Sequence, residues 1–146
     1  MKFVMDSSAL VPILHDEDET DNAHRFFDLC RKIGISLSIS PLARCEVGNC
    51  ILQFAKREHK DPMVYLNRFL RIDLEMIPMD DDLLLEAMDI AKESKLTFYD
   101  AIHAAGAKIA GSPLVTLDEA LLARTKNALD LADAIDYLES LSNEFQ

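Results

Sequence analysis

The chain has 146 residues, 49% of them hydrophobic and 28% charged, and a formal net charge of −11. That mix suits one soluble domain over residues 1–146; no apolar run reaches membrane-span length, and a single basic residue ahead of Val4 argues against a signal peptide, so a cytoplasmic protein is expected. The acidic balance excludes a protein that wraps nucleic acid in a general positive field, but not an acidic site that cuts nucleic acid with the help of cations.

Phe3-Val4-Met5 is too short for a helix and stops abruptly at Asp6-Ser7-Ser8, the pattern of a buried strand that delivers a carboxylate to a helix start. Ser8–Leu14 reads as a short helix. The acidic run from His15 to Asp21 is predicted to be a solvated N-terminus of the next helix, where the dipole welcomes negative charge, rather than a metal site. Ala23, Phe26, Phe27, Cys30 and Ile33 recur at helical spacing, and Gly34 ends that helix. Ile35–Ser40 alternates apolar residues with serines, as a strand does. Ser40 as cap and Pro41 at the first position then start a helix from Leu42 to Lys56. Glu46 lies about one and a half turns into it, leaning back toward the end of the preceding strand.

Pro62 opens a helix to Leu70, and Leu74–Pro78 is a third strand. Asp80, Asp81 and Asp82 are capping residues for a helix reaching Ser94. Thr97-Phe98-Tyr99-Asp100 has the capping-box pattern and starts an Ala-rich helix, Ala101–Ala110, closed by Gly111. Leu114-Val115-Thr116 is a fourth strand, running out at Asp118 before a helix from Glu119 to Thr125. Leu129–Leu141 is a last helix, and a further strand near Ala128–Leu131 stays open. Strands separated by helical crossovers predict an α/β fold: a three-layer α/β/α sandwich around a mostly parallel sheet of four or five strands. Cys30, Cys45, Cys50 and the four histidines lack zinc spacing, so reduced thiols are expected.

Asp6, Glu46, Asp100 and Asp118 each have a plain explanation, as helix caps or as an exposed helix residue. Parallel strands, however, bring all four toward one sheet edge, where ligands bind in such folds. Grouped carboxylates need either raised pKa values or a cation between them. An all-oxygen donor set suits Mg²⁺ or Mn²⁺, and with it metal-assisted phosphodiester hydrolysis. His103, three residues after Asp100 on the same face, could touch substrate or transfer a proton, though a partly buried helix partner is the plainer reading. Arg44 could contact phosphate or pair with an acid. Lys56, Arg57, Lys60, Arg68 and Arg71 form the richest basic stretch, a limited RNA-binding rim or a solvated helix face.

The segments Val4-Met5-Asp6-Ser7-Ser8, Ala43-Arg44-Cys45-Glu46, Tyr99-Asp100-Ala101-Ile102-His103-Ala104-Ala105 and Leu114-Val115-Thr116-Leu117-Asp118 together resemble the PIN domain, in particular its VapC-type ribonuclease toxins. The resemblance runs from the first strand to about Thr125. It implies a Mg²⁺- or Mn²⁺-dependent endoribonuclease that uses a metal-activated water, with Asp6, Glu46, Asp100 and Asp118 as the acidic pocket and Ser7 and Thr116 orienting the carboxylates. It also implies a homodimer and, for a type II toxin, inhibition by an antitoxin protein. Leu83-Leu84-Leu85 and the faces around Ile51-Leu52-Phe54 are candidate stretches for packing across such a dimer, although burial within one chain explains most of them. A haloacid-dehalogenase-type phosphatase would need a second Asp where Ser8 stands, and a receiver domain would need an acidic pair after the first strand. The remaining alternative is a PIN-like module that binds RNA or protein without cutting.

Overall fold

The structure is a computed structural model, described here for residues 1–144. Five strands, β1 (Lys2–Met5), β2 (Ser36–Ile39), β3 (Glu75–Met76), β4 (Leu114–Val115) and β5 (Ala128–Leu129), form one sheet in the order β3-β2-β1-β4-β5, every pair parallel. The helices are α1 (Ser7–Leu10), α2 (Thr20–Ile33), α3 (Pro41–Arg57), α4 (Pro62–Leu70), α5 (Asp81–Ser94), α6 (Phe98–Ala110), α7 (Glu119–Arg124) and α8 (Leu131–Glu144). They cover both faces, as an all-parallel sheet requires. Among the described residues no helix is long and apolar enough to cross a membrane.

The two-residue period of the strands divides the core. Phe3, Met5, Leu37, Ile39 and Val115 belong to a cluster with α1, α2, α3, α4 and α8, while Val4 and Leu114 belong to a second cluster with α5, α6 and α7. Helix α6 lies closest to the sheet, with every residue from Ala101 to Ala107 buried. Gly106 permits that approach, since a Cβ there would come within 3.0 Å of Ile77 Cδ1 and 3.9 Å of Val4 Cγ1.

The caps follow sequence chemistry. Ser40, Asp80, Thr97 and Asp118 each accept a bond from a first-turn N–H of the helix that follows. Two expectations are corrected. The segment after β1 is not one helix from Ser8 to Leu14: Pro12, with no N–H to donate, stands in a 3-10 turn at Val11–Ile13. The acidic run is mostly loop, because α2 begins only at Thr20 and holds just Asp21 in its first turn. The Thr20 hydroxyl organises that loop, accepting the Glu17 N–H at 2.9 Å and lying 2.9 and 3.0 Å from the carbonyl oxygens of Pro12 and His15. The open question at Ala128–Leu131 resolves as strand β5 followed directly by α8. Of the apolar stretches weighed for a dimer, Ile51, Phe54 and Leu83 are core residues, whereas Leu52, Leu84 and Leu85 are exposed.

Candidate active site

Strands β1 and β4 are neighbours in the sheet but not in sequence, so the strand order reverses between them. In an open parallel sheet the crevice beyond the strand ends at such a reversal is the place for a ligand. Asp6 follows β1 there, and Thr116 and Asp118 follow β4.

Asp6 is 4% exposed. It caps α1, with Oδ1 accepting the Ser8 N–H at 3.0 Å and the Ser8 hydroxyl at 2.6 Å, while Oδ2 accepts the Thr116 hydroxyl at 2.9 Å. The same two hydroxyls gather the β4 end. Thr116 Oγ1 accepts the Asp118 N–H at 3.0 Å, and Ser8 Oγ accepts the Leu117 N–H at 2.8 Å. Each hydroxyl has one proton, and both protons are directed at Asp6, so the 3.3 Å approach of Ser8 Oγ to Thr116 Oγ1 is a packing contact in this arrangement. Burial pushes the Asp6 carboxyl above its ordinary value of 3.8, against the opposing pulls of the Ser8 bond, the nearby His103 and Thr116.

A second linkage approaches from the other side of β1. Glu46, in the second turn of α3, is partly exposed and accepts from His103 Nε2 at 2.7 Å. His103 on α6 is 2% exposed, and its Nδ1 lies 3.4 Å from the hydroxyl of Ser40, the cap of α3. Asp100, half-buried in the first turn of α6, stands one turn before His103. Asp118 caps α7 through the Leu121 N–H at 2.9 Å.

Among the described residues no Lys or Arg forms an ion pair with Asp6, Glu46, Asp100 or Asp118. Nor do any three His, Cys, Asp or Glu side chains lie close enough to enclose a metal ion unaided. Acceptor capacity remains, because among the described residues Glu46 Oε2 and Asp118 Oδ2 have no hydrogen-bond donor and Asp6 Oδ2 has one side-chain donor. An open, oxygen-only set of this kind fits a hard divalent ion that keeps part of its water shell better than one stripped into a protein cage.

Other sequence expectations sort differently. Ser7 is not the hydroxyl on Asp6; Ser8 takes that place, because the second residue after a capping Asp turns both its N–H and its side chain toward the cap. The Thr116 hydroxyl donates to Asp6 Oδ2. Arg44 is exposed and lines a cavity of about 230 Å³ with Ile39, Phe69 and Met76, forming no ion pair with Glu46. Lys60 and Arg68 line a larger cavity, about 630 Å³, with His15, His24, Glu58 and Tyr65; none of the four acids borders it. Two further hydroxyls, Ser8 and Ser40, stand against these groups, on Asp6 and beside His103. The first is marked by its spacing from Asp6, but nothing local to Ser40 points beyond capping.

A five-stranded parallel sheet with Asp6 and Asp118 set at its order reversal defines an α/β protein with acidic residues at that edge. The chain belongs to the PIN domain family, which it matches over residues 3–128. It is 31% identical over 131 residues, 90% of this chain and 91% of the relative, to the exonuclease VapC9 of Pyrobaculum aerophilum. Its fold is similar to that of PAE2754 from Pyrobaculum aerophilum, with 30% identity, a TM-score of 0.73 and 96% of each chain covered. It is also similar in fold to VapBC2 of Rickettsia felis, solved bound to a DNA fragment from the promoter, at 18% identity and a TM-score of 0.68 over 89% of this chain and 97% of that one.

Proposed function

We propose that the chain works as a one-domain, divalent-metal-dependent endoribonuclease and as the toxin of a type II toxin–antitoxin pair. The observation that carries the reading is Asp6, buried at the sheet's order reversal and held by two hydroxyls whose other bonds bring in the backbone of Asp118. A charge buried with no Lys or Arg partner is costly unless a cation compensates it. Asp6, Glu46, Asp100 and Asp118 would hold Mg²⁺ or Mn²⁺. The chemistry supplied by such an ion would be a water of lowered pKa for attack on phosphorus and compensation of charge on the phosphate oxygens. Ser8 and Thr116 spend their protons on Asp6, so they act as its supports and not as nucleophiles. The exonuclease name of the Pyrobaculum relative supports nuclease chemistry, and the toxin role rests on the resemblance to VapC-type toxins.

An antitoxin protein is the expected partner, and a homodimer the expected assembly, with exposed Leu52, Leu84 and Leu85 as apolar surface available to it. Sedimentation of the purified chain, compared with L85E, tests the assembly.

The relative's name says exonuclease, so the mode of cutting needs its own measurement. A circular RNA and an end-labelled linear RNA, each incubated with Mn²⁺ or Mg²⁺, are compared with Asp6→Asn and Asp118→Asn. Cutting of the circle by wild type alone supports an endonuclease. Degradation of the linear RNA only makes it an exonuclease. Inactivity of wild type across metals and substrates, or full activity in the variants, leaves a PIN module that binds without cutting.

A further inference from the structure

His103 is a buried ionisable side chain to which the proposed chemistry gives no task. It is 2% exposed on the helix packed most tightly against the sheet, so it is withdrawn from any substrate. Yet both ring nitrogens face polar atoms from another segment of the chain: Nε2 is 2.7 Å from Glu46 Oε1, and Nδ1 is 3.4 Å from Ser40 Oγ. We infer that His103 is a positioning residue, which fixes the Glu46 carboxylate by an Nε2–H donor and is itself aligned by the hydroxyl that caps α3. The inference rests on the metal-dependent reading above and deepens it.

Donor counting supports the direction of the chain. Ionised Glu46 only accepts, so the 2.7 Å bond requires a proton on Nε2 whether the ring is neutral or charged. In the neutral ring Nδ1 must then be the acceptor. Ser40 can supply that bond, because its oxygen already accepts the Ala43 N–H at 3.2 Å and its own proton is left to point at Nδ1. One serine thus starts the helix that carries Glu46 and selects the histidine tautomer that holds it.

The geometry also explains why α6 must lie so close. Ser40 ends the β2 segment, Glu46 belongs to α3, and His103 comes from α6, so the bond spans 57 residues of sequence. It leaves Glu46 Oε2 free while removing the rotamer freedom of a long side chain. Asp6 receives the same treatment from Ser8 and Thr116. Partners of this kind fix the orientation of a ligand, and their loss weakens metal binding by roughly 10- to 100-fold in other sites.

The test is Mn²⁺ binding to the full chain, read by electron paramagnetic resonance, for wild type, His103→Leu and His103→Gln, with melting curves to establish folding. Leu fills the volume without a donor; the Gln amide retains an N–H near the Nε2 position. Binding weakened about tenfold or more in H103L and restored to within about threefold in H103Q is the expected result. Equal binding by wild type and H103L overturns the inference while leaving the metal site intact. No Mn²⁺ binding by wild type overturns the metal reading, and the inference falls with it. Should H103L not fold, nitrogen-15 spectra of the wild-type imidazole decide. A protonated Nε2 in the metal-free protein supports the assignment, and a proton on Nδ1 alone refutes it.

Discussion

Thr116 donates to Asp6 Oδ2 across 2.9 Å, joining residues 110 positions apart at the ends of two neighbouring parallel strands. Because Thr116 Oγ1 also accepts the Asp118 N–H, one buried hydroxyl sets the orientation of the first carboxylate and the backbone that carries the last. Ser8 does the same from the opposite side, bonding Asp6 and Leu117.

The Asp6→Asn protein should fold and fail to cut. The amide keeps the acceptor for Ser8, and loss of the buried charge removes a desolvation cost, so its melting temperature at neutral pH should be no lower than that of wild type. Activity should fall by more than about a hundredfold, beyond the roughly 10- to 100-fold that loss of a supporting partner costs. Added Mg²⁺ should raise the melting temperature of wild type and not of D6N.

The raised Asp6 pKa has a defined sign in stability. The folded state keeps this proton to higher pH than the unfolded chain, whose value is near 3.8, so the folded form binds more protons in the window above it. The contribution of Asp6 is fully present below 3.8 and is lost as pH rises through the raised folded-state value. Subtracting the pH–stability curve of D6N from that of wild type should give a difference that falls with pH across this window. Mn²⁺ competes with the same proton, so its affinity should rise over that range.

Ser8 and Ser7 should separate cleanly. Ser8→Ala removes a donor to Asp6 and the acceptor for the Leu117 N–H, and should lower activity by about tenfold or more and stability by about 1–2 kcal/mol. Ser7→Ala should leave kcat near wild type, because Asp6 draws its hydroxyl bonds from Ser8 and Thr116. Thr116→Val, nearly isosteric at a fully buried position, should resemble S8A. Steady-state kinetics and urea unfolding on the three variants check this.

Gly106→Val should destabilise by about 1–3 kcal/mol through overpacking between α6 and the sheet. Gly106→Ala should be milder, since the atom 3.0 Å from its added methyl is the flexible end of Ile77 and helix propensity favours Ala by about 1 kcal/mol. Urea unfolding of both variants gives the comparison.

Local chemistry was readable wherever one short segment carries its own reason. Phe3-Val4-Met5 is a short apolar run with an abrupt polar stop, and Ser40-Pro41, Asp80, Thr97 and Asp118 announce helix starts through donors only a few residues away. The order of these elements also implied a parallel sheet and a common edge for the acids. Elements whose stability comes from neighbours were less legible: β5 has two residues and exists because β4 pairs with it, and the acidic run is loop because Thr20 bonds back to Pro12 and His15.

For the site, the sequence alone determined which carboxylates to consider and that strand ends carry two of them. Only the tertiary structure decided that Ser8 also takes the Leu117 N–H, and that His103 turns inward to Glu46 and Ser40. Caps and strand periods arise from contacts within a few residues. The bonds from Thr116 to Asp6 and from His103 to Glu46 exist only once the sheet order and the close seat of α6 have brought distant segments together.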